Sequence, residues 1–597
     1  MAMKLLMDSV GEVIEVRGVK IVIRVFDESN KETLFYLGEK YKGISIREHV
    51  TIRRGFRNIV CIVEGEYLDE KKLNEDQTDF VRKVELKPIG YFQEGEFLEG
   101  IKYLPMIRDS VFLISESELS TIYGRCQEDF VVGKLLKEGI PVSLSWSKLF
   151  NTHIGIFGNT GSGKSNTLTN LYTNLFEKKK ASIVGKSQFI VLDFNGEYTG
   201  NQLLSLEEKC VYILDTKTGQ GQQFPFSEEE FWDAEVFGIL FKATENTQKP
   251  FLSRVVKGRE KYLDAPNSLQ SYTKKVFSRA LTSASPKKEF SDLLRIVAKL
   301  IGETQLENQL SRLSWHGKNE NFYLPEGHLN GGENDPTYVN HFKNDIDNIT
   351  LPALTHFDQL IVRINLQLAS DLICGYVQFD HIQPLLKRIE SSISSLKKVI
   401  TVSNEQDDKI LTVISMRKAN QETKKVIPLL LAKYYYNKHK NALANQSPPT
   451  KTMHLIIDEA HNILSVQSNR EHESWKDYRL ELFEEIIKEG RKFGMYLTLS
   501  SQRPADISPT IMSQLHNFFI HRLVNDRDLF LLENTVNTLD SLSRGMIPNL
   551  SKGCCIVTGT SFDLPMVIQF NRLNIEHQPD SDDVDLNVLW SNQTNFF

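Results

Sequence analysis

The stretch Gly158-Asn159-Thr160-Gly161-Ser162-Gly163-Lys164-Ser165 decides the fold. Its spacing is that of a phosphate loop, G-x-x-x-x-G-K-S. The glycines let backbone N–H groups turn toward phosphate oxygens. Lys164 is placed to reach the β- and γ-phosphates, and Ser165 offers a hydroxyl to Mg²⁺. The apolar run Ile154, Ile156, Phe157 before the loop predicts a strand. Leu168, Leu171 and Leu175 after it are at helical spacing and predict a helix over Thr167 to Phe176. A strand, a glycine-rich turn and a helix N-terminus together form an anion site from backbone dipoles. The expected ligands are a nucleoside triphosphate and Mg²⁺. Gly158, Asn159, Thr160, Gly161, Ser162, Gly163, Lys164, Ser165 and Asn166 are the expected contacts.

At 597 residues the chain is long enough for three or four units. Its 71 basic and 77 acidic residues leave a net charge of -6, an ordinary balance. That excludes a protein that binds nucleic acid through basic charge everywhere, but leaves room for a basic patch or pore. No apolar run approaches a membrane span, and Leu5-Leu6-Met7 stops at Asp8 without forming a signal peptide. The six cysteines show no C-x-x-C spacing, so neither zinc nor a disulfide framework is indicated. A cytoplasmic location is the expectation.

Residues 1–130 alternate in short apolar runs between turns, which predicts a small β-barrel or sandwich. Arg53, Arg54 and Arg57 cluster there, and a solvated turn outranks a nucleic-acid contact for them. Residues 131–225 read as βαβ, with strands at His153 to Phe157, Gln188 to Leu192 and Cys210 to Leu214. Residues 226–400 are mainly helical, with amphipathic stretches at Phe231 to Lys242 and Lys288 to Ile301 and an irregular connection at Gly317 to Asn340. Strand signals return in 401–575, at Ile410 to Ser415, Met453 to Ile457, Met495 to Ser500, Phe518 to Leu523 and Cys554 to Thr558. The expected architecture is α/β. A RecA-like P-loop core is preceded by a β-barrel, interrupted by a helical insertion and followed by an acidic arm over 576–597 that carries Trp590.

His454-Leu-Ile-Ile-Asp-Glu-Ala-His461 is the second strong signal. A buried strand ending in Asp458-Glu459 has the Walker B form. Asp458 then serves the Mg²⁺ shell, and Glu459 orients the attacking water. His461 reads as a supporting residue, not a metal ligand. Val191-Leu-Asp-Phe-Asn-Gly-Glu-Tyr198 closes another strand. In a parallel sheet that end faces the ligand crevice, which places Asp193 and Glu197 near the nucleotide. For Glu197 alone, a plain Asn-Gly turn is an equal reading. Gln502, after the strand Met495 to Ser501, is placed to sense the γ-phosphate or the lytic water. Arg491 ends a helix predicted over Trp475 to Phe493, before the stop at Gly494. It either complements the helix dipole or reaches a neighbouring subunit's γ-phosphate. The residues alone leave both open, and Arg503 and Arg522 are weaker candidates for the second role. For DNA contact the candidates are Arg417, Lys418, Lys424 and Lys425, against the plainer reading of a charged helix surface.

Taken together, Leu149 to Ser165, Val191 to Tyr198, Leu455 to His461 and Glu489 to Ile507 resemble the HerA family, a branch of the HerA/FtsK translocating ATPases. The resemblance implies a homo-hexameric ring that hydrolyses ATP between subunits and moves double-stranded DNA through a central pore. It implies nucleotide roles for Lys164, Ser165, Asp458, Glu459 and Gln502, and favours Arg491 acting across the subunit interface. It further implies a separately encoded effector: a NurA-like nuclease in DNA end processing, or a nuclease or sirtuin-like NAD-consuming protein in antiphage defence. A ring that scaffolds and activates its effector under ATP control is the alternative. One departure from the family pattern is the long span from Lys164 to Asp458, which predicts an enlarged helical insertion.

Overall fold

A computed structural model describes residues 9–27, 32–36, 39–74, 77–123, 130–404, 409–443, 448–467, 473–562 and 565–580. Near the N-terminus, alternation of buried and exposed positions curls six strands into a closed barrel. They are β1 (Gly11–Arg17), β2 (Lys20–Val25), β3 (His49–Arg54), β4 (Arg57–Asn74), β5 (Gln77–Gln93) and β6 (Ser110–Leu113). The order is β2-β1-β6-β3-β4-β5, and β5 returns to β2, with Val84 opposite Ile23. Val13, Ile21, Ile23, Val50, Ile52, Cys61, Val84 and Leu86 fill the interior. The arginine cluster is held by the barrel itself. Arg53 lies 4.3 Å over the Phe112 ring, Arg57 lies 3.8 Å over the Tyr103 ring, and Arg54 donates to the Leu104 carbonyl.

The core sheet has eleven strands. In chain order they are β7 (Phe130–Leu135), β8 (Pro141–Leu144), β9 (Ile154–Phe157), β10 (Ser187–Asp193), β11 (Lys209–Ile213), β12 (Leu411–Ser415), β13 (Thr452–Ile457), β14 (Met495–Ser501), β15 (Asn517–Ile520), β16 (Cys554–Gly559) and β17 (Met566–Phe570). Across the sheet the order is β8-β7-β17-β16-β15-β9-β14-β13-β10-β12-β11. The strands from β15 to β11 are mutually parallel, and the rest are antiparallel. Parallel strands need cover on both faces, and these have it: Val191, Leu192, Leu455, Ile456, Leu497 and Leu499 are fully buried. The helix after the phosphate loop, α1 (Lys164–Ile183), is longer than its apolar spacing predicts. Its polar end is held by Lys179 over the Trp146 ring and by a Lys180–Glu208 ion pair.

Between β11 and β12 the chain leaves the sheet and returns through a mainly helical unit. Its main helices are α2 (Gln248–Glu260), α3 (Ser268–Leu281), α4 (Phe290–Ile301), α5 (His356–Cys374) and α6 (Phe379–Val399). Their apolar faces join the cluster under the sheet, so the insertion is packed onto the core.

Three local readings change. The stretch Phe231 to Lys242 is two short helices, because the Asp233 carboxylate accepts from Glu235 N and Val236 N and restarts the chain as an N-cap. The connection Gly317 to Asn340 holds strands Asn321–Leu324 and Gly327–His328, pinned by buried Phe322 and Leu324. The helix predicted to Phe493 ends at Glu489, and Gly490–Phe493 tightens into a 3₁₀ turn before Gly494 at φ 75°. Of the expected arm, residues 581–597, with Trp590, lie outside the described residues. No helix among the described residues is long and apolar enough to cross a membrane.

Several histidines are buried in this frame. Burial holds His454 neutral down to about 3 and His49 and His153 down to about 4. Below the ordinary histidine value, near 6.5, the unfolded chain takes up protons that the native chain refuses. Stability is therefore fully present above about pH 6.5 and falls as pH drops toward these folded values, by about 1.4 kcal/mol per pH unit for each group. His454 stacks on Phe189 with ring centroids 4.5 Å apart. The His454→Phe variant should lose less Tm between pH 7 and pH 5 than the parent. Equal losses by differential scanning fluorimetry would contradict this account.

Candidate functional site

The phosphate loop joins the end of β9 to the start of α1, beside the C-terminal ends of the other parallel strands. Two of its glycines are required by close approach. A Cβ on Gly158 would sit 2.5 Å from the Cβ of His521, and one on Gly163, at φ 115°, would sit 2.9 Å from the Gly553 Cα. His521 follows β15 and is fully buried. Burial, with Lys164 nearby, pushes its imidazole down to about 3, so it is neutral packing under the loop. Gly553 N donates to Ser162 O at 2.8 Å, which ties the β16 approach to the loop.

Above the loop is a cavity of about 630 Å³. It brings together Thr160, Gly161, Gly163, Lys164, Ser165, Asn166, Glu197, Glu459 and Gln502 from four separate segments. Gly158, Asn159 and Ser162 form the underside of the loop. Asn159 N donates to Arg522 O at 2.8 Å, and the Ser162 hydroxyl donates to Asn159 O at 2.7 Å. Lys164 Nζ is 3.3 Å from the Asn159 carbonyl and is buried.

Gln502 links the two halves of the cavity. Its amide oxygen accepts from the Thr160 hydroxyl, and its Nε2 donates to Glu459 Oε1 at 3.1 Å. On the other side His461 Nδ1 lies 3.3 Å from Glu459 Oε2 and 3.2 Å from Ser501 Oγ. Burial opposes ionisation of Glu459, but His461, Lys164 and Gln502 outweigh it and hold the carboxyl below its usual range. Glu459 also sits at φ 48°, a left-handed conformation that costs a non-glycine residue of order 1 kcal/mol or more and persists where the surroundings over-determine it.

Asp458 behaves in the opposite way. It is buried, its Oδ2 has no hydrogen-bond partner, and burial with the charges of Glu197, Glu459 and Asp193 pushes its carboxyl well up. Glu197 is raised too, by burial first, although the Ser165 and Asn195 side chains pull it back. Asp193 does not face the cavity. Its Oδ1 accepts from Asn195, Gly196 and Glu197 N–H groups and its Oδ2 from Tyr198 N–H, so it builds the turn that presents Glu197. Lys209, buried below, fixes the same turn by donating to the carbonyls of Tyr198 at 2.8 Å and Gln202 at 2.7 Å.

Arg491 is not in this cavity. It precedes β14, and Gln502 follows β14, so the two lie at opposite ends of one strand. At about 3.3 Å per residue that is on the order of 20 Å. There Arg491 Nη1 is 3.3 Å from His516 Nε2. Arg503 and Arg522 are exposed, and Arg522 Nε donates to Pro548 O at 3.0 Å. Arg417, read from sequence as a DNA candidate, instead lines the cavity. It follows β12, and the rule that strand C-termini face the ligand would have placed it there. Lys552, Arg572, Gln578 and Asp580 also line the cavity. Nothing in their local sequence announces this, because they arrive through antiparallel strands and the segment after them.

Comparison with known proteins follows the same lines. Residues 130–322 match the family described as "Helicase HerA, central domain". A probable helicase of Methanocaldococcus jannaschii is 25% identical over 85% of this chain and 82% of its own length. The DNA double-strand break repair helicase HerA of Sulfolobus acidocaldarius is 23% identical over 84% of this chain and 80% of its own. Among solved structures, VirB4 of Thermoanaerobacter pseudethanolicus aligns over 76% of this chain and 99% of its own at 14% identity, with a TM-score of 0.41. Joined to a phosphate loop that faces a Walker B strand end across one cavity, the sequence matches make this chain an ATP-hydrolysing enzyme similar to the HerA helicases over most of its length.

Proposed function

We propose that this chain is the Mg²⁺-dependent ATPase subunit of a homo-hexameric ring that moves double-stranded DNA. The observation that carries the hydrolytic part is the Thr160–Gln502–Glu459 chain, which couples the phosphate loop to an ionised carboxylate. In this reading Lys164 holds the β- and γ-phosphates and Glu459 orients and polarises the attacking water. Gln502, bonded to both sides, registers the γ-phosphate through Thr160 and positions Glu459.

The residues fit Mg²⁺. A buried carboxylate oxygen without a partner, on Asp458, is close to a second raised carboxyl, on Glu197, which has the Ser165 hydroxyl at its side. Negative charge concentrated this way calls for a cation. No cluster of three or more His, Cys, Asp or Glu suited to a metal occurs among the described residues. Ser165 and Asp458 would hold the Mg²⁺, with Glu197 close by, and when bound it would neutralise charge on the β- and γ-oxygens.

The position of Arg491 supports the ring. The residue is a strand's length from its own phosphate loop, so a role on a γ-phosphate requires another copy's site. DNA as the substrate is supported by the HerA relatives, named as DNA double-strand break repair helicases. The family resemblance extends the proposal to a separately encoded nuclease or sirtuin-like effector, in antiphage defence.

Purified protein should hydrolyse ATP only with Mg²⁺, and double-stranded DNA should stimulate it at low salt, where phosphate contacts are strongest. Lys164→Ala and Glu459→Gln should each lower kcat by about 100-fold or more. ATP turnover indifferent to DNA would remove the motor reading. Arg491→Ala should cost about 1,000-fold. Mixing it with Lys164→Ala protein should restore measurable turnover, because one copy then supplies the arginine and the other the phosphate loop. A mixture as inactive as its parts would show that Arg491 does not act between subunits.

A further inference from the structure

The segment Asn571 to Asp580 leaves β17 and crosses the open side of the nucleotide cavity. Its start is fixed to the phosphate-loop helix: Asn166 Nδ2 and Asn170 Nδ2 both donate to the Asn571 carbonyl, at 3.2 and 3.3 Å. Its middle is fixed where His577 Nδ1 lies 3.0 Å from the Asn201 carbonyl. Its end is fixed to the turn that carries Glu197, where Asp580 N donates to Glu197 O at 3.0 Å. The strap therefore spans from the helix side of the cavity to the Glu197 side, and Arg572, Gln578, Pro579 and Asp580 line the cavity wall from it.

The direction of a bound triphosphate is set by the chemistry already placed. Glu459 and Gln502 mark the γ end. Lys164 and Ser165 come next along the loop, and Asn166 follows at the first turn of α1. The nucleoside must continue past Asn166, away from Glu459. At that place the structure has Asn571, Arg572 and Phe570, the last buried at the end of β17.

We propose that the strap Asn571–Asp580 forms the nucleoside subsite of this ATPase, holding the base and ribose while the loop holds the phosphates. Arg572 and Gln578 offer a guanidinium and an amide to ribose hydroxyls and base edges, groups that inorganic phosphates lack, while Asp580 anchors the strap at the Glu197 turn. The subsite rests on the ATP reading of the cavity and deepens it.

The test separates the two halves of the ligand. Binding of ATP and of inorganic tripolyphosphate, each with MgCl₂, is measured by competition against a fluorescent ATP analogue on full-length protein, for the parent, Arg572→Ala, Gln578→Ala and the double variant. The double variant should bind ATP about tenfold more weakly or worse, the loss expected for hydrogen bonds left unmade, and tripolyphosphate as tightly as the parent. Hydrogen exchange at 575–580 should slow with ATP and not with tripolyphosphate. Equal weakening of both ligands, or of neither, would overturn the subsite while the ATP site stands. A parent protein that binds neither ligand, with Lys164→Ala making no difference, would overturn the nucleotide reading itself and the subsite with it. Unchanged ligand-free Tm in the variants excludes misfolding as the cause of a loss.

Discussion

The architecture around the cavity depends on one contact, that of the Gly158 backbone on the Cβ of the buried His521. No side chain fits between them. The loop can lie that low only if β15 is the neighbour of β9 and ends in a small, uncharged, flat group at that depth. A protonated ring there would sit near Lys164, and burial together with that charge keeps it neutral. The same closeness recurs at Gly163 and Gly553, which draws β16 and β17 under the loop. From the end of β17 the chain runs on beside the nucleotide cavity, which Arg572, Gln578, Pro579 and Asp580 line.

The charges of the site are arranged as opposites held apart. Glu459 is ionised by the partners on its flanks, while Asp458, one residue earlier, is left with an unpaired oxygen among other carboxylates. The two residues follow the end of β13 in a turn, where one carboxylate can face a water and the other a cation. The left-handed backbone at Glu459 is how the chain makes that switch within a single residue. Asp193 serves by a different route: both its oxygens are committed to backbone N–H groups that hold the turn carrying Glu197, and its charge adds to those around Asp458.

Much of this was legible before the structure, and the boundary is physical. The phosphate loop, Asp458, Glu459 and Gln502 stand next to strands with strong apolar runs, so motif and strand end are read together. Asp193 and Glu197 read alike as cavity residues, because sequence does not say which carboxylate of D-F-N-G-E the turn will consume. Arg417 reads as a DNA candidate or a charged helix surface until the strand-end rule is applied to β12, which puts it at the cavity. Strands β4 and β5, of 18 and 17 residues, were visible only as Ile59 to Val63 and a segment near Tyr91. Their outer halves are rich in charged residues and carry no apolar period to read. Arg572 and Gln578 were beyond reach, since an exposed segment after an antiparallel pair is placed by tertiary packing alone.

The parallel strands give each subunit two unlike rims, with the phosphate loop on one and Arg491 on the other. In the proposed ring every sheet is then a strut with a nucleotide at both ends, its own at one and its neighbour's at the other. A close-packed interior yields little to local bending, so a shift at one rim must appear at the opposite rim as a tilt of the whole plate. The order in which sites fire around such a ring would be a matter of leverage, carried by the stiffness of β14 rather than by any dedicated messenger.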